Sequence, residues 1–377
     1  MSDSLLSFDS QRAKIDLDVL QLQILTKVQA YSFAKALYQR GRNSPFPRET
    51  ENDPYTLRSL QYFATSGERN AAEPFYDDFV SYHNDPNYTD TVVMETLTGT
   101  GKWGKQSAEQ KERIIVETAS YQIIYMFALA EMADAIVDCK NLNAYENAGG
   151  AHAWDEVAAY LIGSLEGTEA GGSANEDDGQ LLWNLANKRA FQFQTVNEQG
   201  YSEINSKLED LLFAGRGQLD AFDCDNLAKT IDRMQHLLLL PIVQSTIRFA
   251  IILNADLNTP STNVALAEGE AFAVAVLPII AKYDKESAEI IAENMIFREG
   301  VKPVVDGPQV VADAFYQALD EFGYSCSLVG TTEQADACKL AGGFAKVKGS
   351  APTSSSRGQP VVVGMALGVA VMIFNLL

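Results

Sequence analysis

Apolar side chains return at helical intervals along most of this chain. Between Asp16 and Tyr38 they fall at Leu20, Leu22, Ile24, Leu25, Val28 and Tyr31, the spacing of one buried helix face. Gln110–Cys139 reads as one long, kinked, apolar-rich helix and Asn226–Leu253 as another. The same periodicity predicts helices over Ala151–Glu166, Gly179–Gln194, Tyr201–Phe213, Val264–Tyr283, Lys285–Phe297 and Gln309–Phe322. Pro278 should kink its helix or end the first half of it. No run alternates as a strand would, so the pattern predicts an all-α protein.

The helices also suggest an internal duplication. SYQIIYMFALAEMADA (Ser120–Ala135) resembles PIVQSTIRFAIILNAD (Pro241–Asp256) when Gln122 is set over Gln244. Each is followed by a helix bearing glutamate, AHAWDEVAAYLIGSLEG (Ala151–Gly167) and ALAEGEAFAVAVLPIIAK (Ala265–Lys282), with Glu156 over Glu270. Each unit then ends near a basic residue, in NKRAF and NMIFR. The expected architecture is two pseudo-repeated helical bundles packed together, residues 1–200 and 201–340, forming one domain over about residues 30–340. A polar linker (341–360) and a hydrophobic tail (361–377) follow.

Those two glutamate-bearing helices hold most of the recognisable chemistry. Positions i, i+3 and i+4 share a helix face, so His152, Asp155 and Glu156 are expected to point together, with Tyr160 a turn beyond. Carboxylate and phenolate oxygens with an occasional imidazole suit a hard cation such as ferric iron. The second helix adds Glu268 and Glu270, which two-residue spacing turns to different sides. The alignment favours Glu270 as the inward partner of Glu156. Arg189, Arg233 and Arg248 should lie nearby, neutralising buried acids. Alternatively, Arg189 or Arg248 holds an anion such as carbonate that completes a metal's coordination. The plainer reading leaves these acids in water, on a structural or adhesive cell-surface protein.

Composition narrows the field. A net charge of −21 at 46 % hydrophobic residues describes a folded, acidic protein that repels nucleic acid. HEXXH and GxSxG are absent and only three histidines occur, so catalysis is not expected. GTGKWGK (Gly99–Lys105) fits GxxxxGK, but Gln106 replaces the required hydroxyl and no strand precedes it. It reads as a turn into the next helix.

Four cysteines suggest two disulfides, Cys326–Cys338 across a short loop and Cys139–Cys224 over a longer one, hence an oxidising compartment. The spacer GSAPTSSSRGQ before VVVGMALGVAVMIFNLL matches a glycolipid-anchor signal, with cleavage around Ser350–Ser356. A single-span tail anchor and a buried terminal helix are the alternatives. The first fourteen residues, MSDSLLSFDSQRAK, lack the basic and apolar regions of a signal peptide, so the start is expected to be truncated or misassigned.

The ordered set HAWDEVAAYLIGSLEG, LANKRAFQF, LLLLPIVQSTIRFA and ALAEGEAFAVAVLPIIA, with GTGKWG, Tyr88–Asp90 and the Cys326–Cys338 loop, resembles the low-iron-inducible periplasmic proteins of algae. That group includes the iron-assimilation proteins of green algae and the phytotransferrins. The resemblance covers about residues 30–340. It implies ferric-iron binding at the cell surface or in the periplasm, carbonate as a synergistic anion, and a role in high-affinity uptake with a reductase or uptake machinery. A more distant likeness is to imelysin-type proteins, double helical bundles with a His-x-x-Glu motif. Here the spacing is His152-x-x-Asp155-Glu156, which leaves two acids competing for one role. The family often has cysteines near NKRAFQFQT, and this chain has none there.

Overall fold

The computed structural model describes residues 10–46, 54–66, 76–143, 149–166, 179–255, 260–320, 326–333 and 335. Among them the fold is all-α, with isolated bridges at Pro45–Leu57 and Val196–Ser202 in place of strands. In chain order the helices are α1 (Ser10–Ala13), α2 (Ile15–Lys27), α3 (Tyr31–Arg40), α4 (Leu60–Thr65), α5 (Tyr76–His83), α6 (Tyr88–Thr98) and α7 (Ala108–Thr118). A π-helical turn, Ala119–Ile124, joins α7 to α8 (Tyr125–Lys140). Then come α9 (Gly150–Ile162), α10 (Leu182–Phe193), α11 (Glu203–Asp220), α12 (Cys224–Ala255), α13 (Pro260–Tyr283), α14 (Lys285–Met295), α15 (Pro308–Asp320) and α16 (Cys326–Val329).

Two sequence expectations change in detail. The helix predicted over Asp16–Tyr38 breaks into α2 and α3, because Gln29 takes a left-handed turn with φ of 59°. Helix α13 runs on through Pro278 to Tyr283 rather than ending there. The long helix predicted over Gln110–Cys139 is realised as α7, the π turn and α8. A Ser107–Gln110 capping box starts it, each side chain bonding the other's backbone N–H.

Helix α9 packs chiefly on α8 and also on α11, while α12 pairs with α13 and α13 with α7. Trp154 is fully buried, donates from Nε1 to Leu212 O at 2.9 Å, and lies on Gly215, where a Cβ would come within 2.0 Å of the indole. Gly215 therefore sets how closely α9 approaches α11. A buried indole of this kind costs about 3–5 kcal/mol on truncation. At its end α9 is stopped by Gly163, with φ of 83°. The following backbone N–H groups of Ser164 and Leu165 donate to the buried Asp16 carboxylate.

One core cluster includes residues from α2 through α16. The two glutamines aligned in sequence are both buried, Gln122 donating to Ala271 O and Gln244 to Val329 O, each at 2.9 Å. Helices α12 and α13 contain stretches long and apolar enough to cross a membrane, but 78 % and 72 % of those stretches are buried inside the protein. They are core helices here. A disulfide, Cys139–Cys224, ties the end of α8 to the start of α12. Cys326 is also disulfide-bonded. Its expected partner Cys338, the linker and the apolar tail lie outside the described residues.

Candidate metal and anion sites

Along the rod formed by α7, the π turn and α8, polar side chains gather at two places. The first lies between α8 and α9, where Glu131, Asp134, Asp138, His152 and Glu156 line a cavity of about 270 Å³. Glu131 and Asp134 are the sole acids in the stretch Ala119–Val137. An acid in so apolar a helix was the available sequence signal for this wall.

Glu156 is the hub. Its carboxylate is hydrogen-bonded with Glu131, pairs with Arg12 Nη2, lies 3.4 Å from His152 Nε2 and accepts from the Tyr160 hydroxyl at 3.4 Å. Arg12 Nη1 also donates to His152 Nε2 at 2.6 Å, across 140 residues of sequence. Burial, followed by the charge of Glu156 and the hydrogen bond to it, raises the Glu131 carboxyl well above the usual range. A carboxylic acid held protonated against a carboxylate is a donor pair whose proton a cation can replace.

Tyr160 is 1 % exposed and packed edge-on to Phe63 and Phe127. Burial first, then Glu156 and Glu131, raises its phenol. It supports Glu156 from behind as a neutral donor and does not line the cavity. Asp155 turns away from His152. Both of its oxygens accept from Arg216 Nη1, at 2.9 and 3.1 Å, and Arg216 Nε also donates to Asp220.

Glu156 and Glu270 do not share a site. Glu270 accepts from Trp103 Nε1 at 2.9 Å and from the Phe297 backbone N–H at 2.6 Å, and pairs with Lys102 Nζ at 2.5 Å. It clamps the GTGKWG turn onto α13 beside a small apolar cluster of Trp103, Ile114, Ala267 and Ala271. All three of these contacts serve the fold. Alignment with Glu156 put Glu270 at the right depth but could not show what meets it there.

Glu268, two residues earlier, faces a second cavity of about 450 Å³. Its walls include Glu117 from α7, Tyr121 from the π turn, Lys188, Arg189 and Gln192 from α10, and Arg248 and Phe249 from α12. Arg189 and Arg248 therefore come together as the sequence suggested, but around Glu268 rather than Glu156. Arg233 is exposed on α12 and lines neither cavity. Arg113 pairs with Glu268 at 3.2 Å and reaches Glu117 at 3.8 Å. Burial and the charge of Glu268 push the Glu117 carboxyl up to about 8. Burial and the neighbouring Arg248 pull Arg189 down to about 10.

Among the described residues, no group of three or more His, Cys, Asp or Glu side chains is placed so that it could hold a metal ion. In the first cavity Arg12 bridges two of the donors, its Nη1 on His152 and its Nη2 on Glu156. By chemical type alone, the lining donors suit a hard cation. Carboxylates predominate, an imidazole flanks them, and acids outnumber cations. Withdrawal of Arg12 and loss of the Glu131 proton would free three ligands.

No curated protein and no solved structure matches the chain. A family model described as Fea1, low iron-inducible periplasmic protein, matches residues 11–338, which takes in both cavities and nearly all of the described fold. The chain belongs to the family of low iron-inducible periplasmic proteins.

Proposed function

We propose that this protein captures ferric iron in the cavity between α8 and α9 and serves iron acquisition under iron limitation. The observation that carries the reading is the Glu131–Glu156 carboxyl pair, held in contact at a cavity that His152 and Asp134 also line. The trivalent ion would take the place of the shared proton and of the Arg12 guanidinium. Glu131, Glu156 and His152 would be ligands, with Asp134 closing the open side. Tyr160 would keep Glu156 oriented by its hydrogen bond.

Carbonate remains the proposed synergistic anion, and Arg12 is the guanidinium beside these ligands that could hold it. Family membership supports a periplasmic location. The apolar tail is proposed as a membrane anchor, and a surface reductase or uptake machinery as the partner that takes the iron onward. The protein would act as a binder rather than an enzyme.

Titration of the metal-free protein with ferric nitrilotriacetate, with and without bicarbonate, tests the site. Saturation near one iron per chain that collapses in Glu131→Gln and in Glu156→Gln supports it. Unchanged iron affinity in both variants sinks the assignment. A carboxylate–imidazole shell absorbs in the near-ultraviolet, so a strong visible band would instead bring a phenolate such as Tyr160 into the shell.

A further inference from the structure

The second cavity has the opposite chemistry from the first. Lys188, Arg189 and Arg248 stand on its walls against Glu117 and Glu268, both of which Arg113 contacts from their own side. Arg189 is 7 % exposed and its guanidinium is fixed, Nε donating to Ser245 Oγ and Nη1 to Gln192 Oε1, both at 2.7 Å. Arg248 makes no hydrogen bond or close ion pair among the described residues and lies 5.0 Å over the Phe249 ring. Tyr121 is 8 % exposed and stacks on Phe272, and its hydroxyl likewise has no hydrogen-bond partner among the described residues. The residue sits in the π turn, a distortion frequent at functional sites.

We propose that this cavity binds a small organic anion bearing two or more carboxylates. Arg189 and Arg248 would hold the carboxylates, the Tyr121 hydroxyl would donate to one of them, and the rings of Phe249 and Phe272 would cover the carbon skeleton. Guanidinium groups match planar carboxylates through paired N–H donors. The volume also argues for an organic ligand. At about 450 Å³ the cavity falls within the range of small-molecule sites and far exceeds what a lone inorganic oxyanion fills. Protonation of Glu117 below about 8 removes one of the two charges that would oppose such a ligand. This site is independent of the iron reading, since it shares no lining residue with the first cavity.

Calorimetric titration of the metal-free full chain with citrate, tricarballylate, succinate, phosphate and bicarbonate tests the proposal. Saturable binding of the tricarboxylates is expected, weakened about tenfold or more in Arg248→Gln and severalfold in Tyr121→Phe. Glu131→Gln should leave it unchanged, so this result stands whether or not the iron site is correct. Arg248 is only half-buried, and a thermal melt of Arg248→Gln matching the parent shows that the variant is folded. Absence of carboxylate binding, equal binding in folded Arg248→Gln, or phosphate or bicarbonate binding as tightly as citrate would overturn the proposal.

Discussion

Glu117 and Glu131 are carried by the same rod, fourteen residues apart and so about 20 Å along a helix axis, yet their surroundings have opposite sign. Around Glu131 the neighbours are Glu156, Asp134 and Asp138, with Arg12 as the main cation. Around Glu117 they are Arg113, Arg189 and Lys188, with Glu268 as the other acid. Both carboxyls are pushed upward, mainly by burial. The first environment has fewer positive charges than its acids need, and a cation would satisfy it. The second has more positive charge than its acids need and calls for an anion. A raised carboxyl therefore marks a site without telling its ligand; the surrounding charge does that.

The largest effects should come from crossing the two sites. Glu131→Gln and Glu156→Gln are each expected to cut ferric affinity by at least about a hundredfold, more than loss of a supporting contact would. Neither should change carboxylate binding. Arg248→Gln should do the reverse, leaving iron affinity within about threefold while weakening the organic anion. Parallel titrations of the three variants check this. If Arg248→Gln abolished iron binding, the two cavities would be one functional unit and the contrast would fail.

Acid should drive the sites apart next. Iron must displace the proton on the Glu131–Glu156 pair, so affinity falls about tenfold per pH unit for each proton released. The anion site should respond in the other direction. Glu117, which faces Glu268, Arg113, Arg189 and Lys188, gains its proton as pH falls through about 8. Lowering pH from 9 to 7 should then strengthen carboxylate binding. Affinities measured for both ligands over the same pH series would show curves of opposite slope. Parallel curves would mean that Glu117 does not sense the anion.

How much of this was legible beforehand follows from the range of each contact. Helices and their order could be read because periodicity is local. Glu268 and Glu270 could be separated because two-residue spacing forces it, and both do point to different neighbours. The His152–Glu156 pairing came from the i, i+4 rule. Asp155 escaped the companion i, i+3 rule because Arg216, sixty-one residues away, draws it to α11. Arg12 meets His152 across 140 residues, and no local pattern encodes that. Tyr121 was hidden in a helix apolar on every side, where sequence gives no facing direction and a π turn cannot be anticipated.

Glu270 offers a smaller test of the same lesson. Glu270→Gln keeps the shape but loses the Lys102 pairing and weakens the acceptor for Trp103 and Phe297. It is expected to cost about 1–3 kcal/mol of stability, with iron and anion affinities unchanged. Chemical denaturation alongside both titrations checks it. A fall in iron affinity without loss of stability would restore Glu270 as a ligand.

The smallest effect concerns metal-free stability, and its sign separates a ligand from a structural group. Glu131 has a folded-state carboxyl raised above the unfolded value. Its contribution to stability is therefore fully present below about pH 4, near the unfolded value, and is lost as pH rises through the raised one. Above the unfolded value the fold carries a cost, because burial beside Glu156 disfavours the ionised acid. Glu131→Gln mimics the protonated form, since the amide can donate to Glu156 without gaining charge. The variant should melt about 1–3 °C higher than the parent at pH 8, and the difference should shrink as pH approaches 5. Ferric iron should raise the melting temperature of the parent and leave the variant where it was. A position where removing charge stabilises the empty protein and abolishes its response to metal has been kept acidic for the metal. If the variant instead melts lower at every pH, Glu131 serves the fold, and the first cavity loses its claim to a cation.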